Sequence, residues 1–266
     1  MFQYFKKYPD LLVSFSRSSD GSMKLTNNPD LVEKTSRNRN AYFLKNNINP
    51  EKVVSAGIVH GNKIAIAYKK DGRKIILGAD GLLTQEKNLF LSITSADCLP
   101  IFLFDPEKEV IGIVHAGWRS LAENILFNAI EKIKGLGGTP KNILAGIGPA
   151  ICQKHYEVSQ EVAEKFENFP EAIRRKNKKT YLDLKKIAKL QLLKLGIKMD
   201  NIEISPECTF KLKEKYFSAR RDSPLTNYST DNKMQSKNNN ELRNRQLVRG
   251  KPAEVEAMIA VIGMKA

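Results

Sequence analysis

The residues with the most chemistry to offer are His60, Cys98 and His115. Two imidazoles and one thiolate can fill three positions of a tetrahedral zinc ion and leave the fourth open, as a catalytic centre requires. Such an ion lowers the pKa of a bound water or polarises a substrate oxygen. The same atoms allow another chemistry, with Cys98 as a thiolate nucleophile and His115 as its base in a hydrolase. Singly, each residue is weak evidence. A lone histidine at a strand end is usually a hydrogen-bonded structural residue, and a lone cysteine in an apolar sheet packs as a small hydrophobe. No HExxH, paired CxxC or HxE with PCxxC spelling occurs. Spacing alone leaves the choice open. The remaining soft ligands are few: Cys152 and Cys208, and His155. Three widely spaced cysteines do not make a disulfide framework. Cys152 and His155, close to the Gly148-Pro149 turn, read as structural, and Cys208 reads as buried.

These groups must be positioned by the elements around them. From about residue 53 short apolar runs alternate with turns. VVSAGIVH, a Gly61-Asn62 turn and KIAIAYKK predict a β-hairpin. LFLSIT, LPIFLFDP and VIGIVHA are each of strand length. His60 and His115 therefore fall at strand ends and Cys98 in a turn between strands, where α/β folds collect functional groups. Leu121, Ile125, Leu126, Ala129, Ile130 and Ile133 repeat at helical spacing over 118–134, and Gly135, Gly137 and Gly138 stop that helix. Further helices are expected at 159–168 and 181–196, and IEISPECTF returns to strand. The expectation is one α/β domain (mixed α+β) over 1–266, its mixed sheet or two packed sheets covered by helices.

Composition narrows the partners. Lys+Arg 44 against Asp+Glu 29 gives +15, which raises nucleic acid as a partner. Aromatic residues do not interleave with the basic runs, so no base-stacking platform is visible, and the charge reads as solvated surface. A basic RNA-associated protein stays as a non-enzymatic alternative, using the Asn- and Arg-rich stretch 223–252. That stretch is too poor in large apolar side chains to offset ordering entropy, and it reads as a mobile insertion before the closing strand MIAVIGM. No apolar run approaches a membrane span, and the mixed charge and aromatics of MFQYFKKYPDLLVSFS predict no secretory signal. The expectation is a cytoplasmic protein, monomeric or weakly homo-oligomeric.

The words around the three residues say more. TSADCLPIFLFDP over 94–106, followed by HAGWR over 115–119, strongly resembles the central signature of the YfiH/laccase-domain family, also called the polyphenol oxidase family. Further matches run in family order: Asn38-Arg39, Val59-His60-Gly61, Asp80-Gly81, Gly148-Pro149-Ala150-Ile151, Tyr156-Glu157-Val158, Phe217-Ser218 and Arg220-Arg221-Asp222. The resemblance implies that His60, Cys98 and His115 bind Zn2+. It implies that Arg39, and Asn27 across a shorter preceding loop, shape a pocket for purine nucleosides. It implies phosphorolysis of adenosine, inosine, guanosine and methylthioadenosine, with adenosine deamination as a second activity. Phenol oxidation, also ascribed to the family, requires many histidines across several copper centres, and this chain has three. Phosphate needs cationic donors, for which Arg39, Arg220 and Arg221 are candidates. Asp97 is a candidate for contacting substrate, orienting a ligand histidine or carrying a proton, with turn capping as its alternative. Trp118 either walls the pocket or packs in the core. The chain departs from the pattern after Asp222, where Leu225-Thr226-Asn227-Tyr228 stands in place of a short Thr-Gly-Arg segment.

Overall fold

A computed structural model describes residues 2–223 and 255–265. The polar stretch 223–252 therefore lies, apart from Ser223, outside the described residues. Strands are numbered in chain order. One sheet has the order β1 (Leu11–Phe15), β14 (Met258–Met264), β6 (Phe90–Ser95), β2 (Val53–Gly57) and β4 (Ile75–Leu77). A second has the order β13 (Ile202–Ile204), β9 (Leu144–Ile147), β7 (Leu99–Asp105), β8 (Val110–Ala116), β5 (Gly81–Thr84) and β3 (Ile64–Ile66). Both sheets mix parallel and antiparallel pairs. A small third sheet joins β10 (Glu157–Val158), β12 (Lys179–Leu182) and β11 (Ile173–Lys176). The protein is thus mixed α/β.

The two large sheets face each other, and helices cover their outer sides. On β7, Ile101 and Leu103 pack towards the helices α3 (Ile125–Gly135) and α5 (Leu184–Lys194), while Phe102 and Phe104 point to the other sheet. On the far side α1 (Pro29–Lys45) lays Tyr42 and Phe43 against Val53, Phe90, Ile259 and Val261. Every residue of β7, β8 and β14 is buried. Strands covered on both faces read as unbroken apolar runs, which is why LPIFLFD and MIAVIGM show no alternation.

Two expectations are corrected. Val53–Gly57 and Ile64–Ile66 do not form a hairpin: they belong to different sheets. The turn there carries its positive φ on His60 (φ 61), not on Gly61. The helix expected over 118–134 is two helices, α2 (Trp118–Ala122) and α3, parted at Asn124 in the left-handed region (φ 60). The apolar spacing spans both because each buries the same side against the sheet.

Candidate metal centre

The chain crosses from the first large sheet to the second three times: over 58–63 between β2 and β3, over 78–80 between β4 and β5, and over 96–98 between β6 and β7. These crossings carry His60, Asp80 and Cys98. His115 joins them from the C-terminal end of β8, on the same face as Ile111 and Ile113, between the sheets. The ligand atoms of His60, Cys98 and His115 all lie within 4.8 Å of one another. The two imidazoles meet edge to face with centroids 4.9 Å apart.

Asp80 fixes this arrangement. Its carboxylate accepts from the backbone N–H groups of Val59 at 3.1 Å, His60 at 2.9 Å and Gly61 at 2.9 Å. A left-handed conformation is costly for a residue with a side chain, and this three-fold anchor offsets the cost at His60. The same carboxylate lies 3.1 Å from His115 Nδ1, and the Asp80 carbonyl accepts from the His115 N–H at 2.7 Å. Burial acts to raise the Asp80 carboxyl, but His115 and the N–H groups of Gly61 and Val59 hold it below its usual range. An ionised carboxylate only accepts, so Nδ1 carries a proton towards it and Nε2 is the atom available to a metal once its own proton is lost. A carboxylate behind an imidazole is the usual support of a metal-ligating histidine.

Electrostatics prepare the thiol. Burial would raise Cys98, yet the His115 charge and hydrogen bonds from His115 and His60 bring it down to about 6. Burial would likewise lower His115, and the Cys98 and Asp80 charges lift it to about 9. Without a metal the pair is a thiolate beside an imidazolium. Gly117 completes the cavity, because a Cβ there would stand 2.9 Å from Cys98 Sγ and 3.6 Å from His60 Cδ2. His115 is buried, Cys98 half-buried and His60 exposed, so the group opens to solvent beside His60.

Other candidates fall elsewhere. Arg39 and Asn27 line a cavity of about 920 Å³ whose wall includes Val59, next to His60, but none of the three ligand-type residues. Arg39 is 8% exposed and donates to Met23 O at 2.9 Å and Ser55 Oγ at 2.7 Å. Burial lowers it to about 10, which leaves it protonated at neutral pH. Among the described residues it has no acidic partner. Asp97 does not meet a histidine. It accepts from Thr209 Oγ1, Ser218 Oγ and the Arg220 N–H at 2.6, 2.9 and 2.7 Å, and so ties the 209–220 segment to the Cys98 turn. Arg220 donates to Glu157 O at 2.7 Å and lies 5.0 Å over the Tyr156 ring. Arg221 directs its guanidinium to the carbonyls of Thr209, Phe210 and Tyr216 and to Asp222, a structural use. Trp118 packs partly buried against the helical side of the core, under Arg119. Asp80 is the residue that sequence reasoning passed over. Its one signal was its place in the Asp80-Gly81 match.

The two-sheet frame and the donor group at its crossings define an α/β protein with a two-nitrogen, one-sulfur candidate metal centre. A family model described as multi-copper polyphenol oxidoreductase laccase matches residues 14–227, and the chain belongs to that family. "Purine nucleoside phosphorylase RC0672" of Rickettsia conorii is 33% identical over 220 residues, covering 80% of this chain and 87% of its own. "Adenosine deaminase RL5", from an unknown prokaryotic organism, is 33% identical over 150 residues, or 54% and 57% of the two chains. The crystal structure of YlmD from Geobacillus stearothermophilus superposes with a TM-score of 0.81 at 26% identity, covering 97% of this chain and 93% of that one.

Proposed function

We propose that the chain is a zinc-dependent purine nucleoside phosphorylase acting on adenosine, inosine, guanosine and methylthioadenosine, with adenosine deamination as a second activity. The observation that carries this reading is the donor group of His60, Cys98 and His115 held on one carboxylate, Asp80, which anchors both the His60 loop and the His115 ring. The donor set suits zinc with one position open. A multicopper oxidase is disfavoured by arithmetic: of the three histidines in the chain, His155 belongs to a different cluster, which leaves two.

When bound, zinc supplies a Lewis acid and an acidified water. The chain's own residues do the rest. Asp80 holds the His115 tautomer that presents Nε2. Cys98 is kept as a thiolate by its two histidine neighbours. Arg39, a buried cation that among the described residues gives two of its five N–H groups to Met23 and Ser55, lines a cavity large enough for a nucleoside and offers charge and donors to phosphate or a ribose oxygen. The relatives' names fit both activities, phosphorolysis from the one and deamination from the other.

One observation favours a second reading. The Cys98 thiolate beside a charged His115 is also the pairing of a cysteine hydrolase. One experiment separates the two. Zinc-loaded and chelator-stripped protein are incubated with each nucleoside, with and without phosphate, and the products identified. Phosphate-dependent release of free base that is lost on chelation supports the phosphorylase. No turnover of any nucleoside by the zinc-loaded protein overturns it, and activity that survives chelation but not thiol alkylation establishes the hydrolase.

A further inference from the structure

A second group of soft ligands stands apart from the first. Cys152 and His155 bracket the short 3-10 turn Gln153–His155, in which the His155 N–H donates to Cys152 O at 3.0 Å. Cys208 arrives from a segment 56 residues from Cys152, held alongside by the parallel bridge of Ala150 with Cys208 and by the Thr209 N–H on Ala150 O. His155 Nδ1 lies 3.3 Å from Cys152 Sγ and 3.5 Å from Cys208 Sγ. All three ligand atoms are within 4.8 Å of one another. The imidazole is stacked on Phe210, with centroids 4.7 Å apart and planes at 20°, which holds the plane of the ring, and its Nδ1 faces the sulfurs.

We propose that Cys152, His155 and Cys208 form a second metal site, which holds a thiophilic divalent ion of the zinc class. The spacing supports it. Two ligands at zinc–sulfur and zinc–nitrogen bond lengths on a tetrahedral ion stand about 3.5 Å apart, close to both distances here. His155 Nδ1 stands within ligand distance of both sulfurs, a contact that a disulfide does not use. Cys152 also lines a cleft of about 400 Å³ shared with Gln153, Asp183 and Lys185, a path for the ion and for a fourth ligand from solvent. Lys185, on the wall of the same cleft, is held by the carbonyls of Ser205 and Glu207, each 2.7 Å from Nζ. The site would clamp the 205–210 segment onto the 150–155 turn. Both also reach Asp97, through the Ile151 N–H and the Thr209 hydroxyl.

The test counts zinc per chain. Full-length protein is stripped of metal under reducing conditions, reloaded with zinc and analysed for bound metal as wild type, His60→Ala and Cys208→Ser. The site is supported by one equivalent that survives His60→Ala and is lost in Cys208→Ser. Zinc-edge X-ray absorption of the His60→Ala protein should then show two sulfur ligands per ion, a measurement that stands even where Cys208→Ser fails to fold. No zinc retained by His60→Ala, or retained zinc with fewer than two sulfur ligands, overturns the proposal. So does a Cys152–Cys208 disulfide that persists through the reducing conditions of the preparation.

Discussion

The two cysteine–histidine groups differ in what stands behind them. At the sheet crossings two imidazoles and one thiolate sit in front of a carboxylate, Asp80. Near the Gly148-Pro149 turn two cysteine sulfurs and one imidazole stand together, with Lys185 on the adjoining cleft. A divalent ion keeps a net positive charge against one thiolate and is neutralised by two. With an ion bound, the first arrangement would leave charge to act on a substrate, and the second would use it to hold chain segments together. Position agrees with charge. The first group hangs on three crossings between large sheets, and its exposed His60 opens to solvent. The second joins two irregular segments through a single bridge.

The largest effect should separate the two groups. Cys98→Ala removes a ligand from the proposed catalytic centre, and nucleoside turnover is expected to fall by more than the ~10–100-fold typical of losing a residue behind a metal ligand. Cys152→Ala should instead lower the unfolding temperature of the zinc-loaded protein, with kcat falling by less than about tenfold. Parallel steady-state kinetics and thermal unfolding check this. Equal losses of kcat in both variants would erase the distinction.

Asp80→Asn comes next. The amide keeps the shape but loses the charge and one acceptor oxygen, so His115 and the left-handed His60 loop are both less well held. A fall of roughly 10–100-fold in zinc affinity or turnover is expected, measured by competition with a chelator. Asp97→Asn, which touches neither histidine, should leave zinc affinity nearly as it was. If the two variants behave alike, Asp80 is not the organiser of the centre.

The cysteines should also differ in the metal-free protein. Cys98 is brought down to about 6 despite its burial. Burial and the neighbouring Cys208 push Cys152 above its ordinary value. As pH rises, the alkylation rate of Cys98 should level off above about pH 7, whereas that of Cys152 should still be climbing beyond pH 9. At pH 7 the thiolate excess at Cys98 is partly offset by its lower intrinsic nucleophilicity, and Cys98 remains the faster of the two. Peptide mapping after a timed pulse of iodoacetamide reads both rates. Matching profiles would show that the His115 and His60 contacts do not set the Cys98 charge.

Much of the first group was legible in the sequence, and little of the second, for the same physical reason. The words around Cys98 and His115 occupy a strand–turn–strand unit, so local sequence carries them. The long buried runs of β7, β8 and β14 were likewise readable, because burial on both faces needs an unbroken apolar string. What failed depended on distant contacts. The Gly61-Asn62 step looks like a hairpin turn because nothing local reveals that Asp80 anchors Val59, His60 and Gly61. Helix α1 went unassigned because Pro29–Lys45 is mostly polar and buries only a few side chains, such as Tyr42 and Phe43. Cys208 read as a small buried hydrophobe because the bridge that sets it against Cys152 and His155 comes from far along the chain.

The smallest predicted effect tests the packing of the first group. Gly117 has ordinary extended backbone angles, φ −84 and ψ 179, so an alanine there meets no conformational penalty. Its cost is steric, since the new Cβ would stand 2.9 Å from Cys98 Sγ, an atom fixed by its place between two histidines. Relieving that contact means moving the sulfur or the start of α2, at a cost of about 1 kcal/mol or slightly more. Expressed on the centre, this is roughly a fivefold to tenfold loss of zinc affinity. Gly135→Ala is the control, because a Cβ at that helical position meets nothing within 4 Å and should leave zinc affinity unchanged while adding slightly to stability. If Gly117→Ala binds zinc as tightly as Gly135→Ala, the sulfur can shift freely, and the crossings hold the centre less firmly than their hydrogen bonds imply.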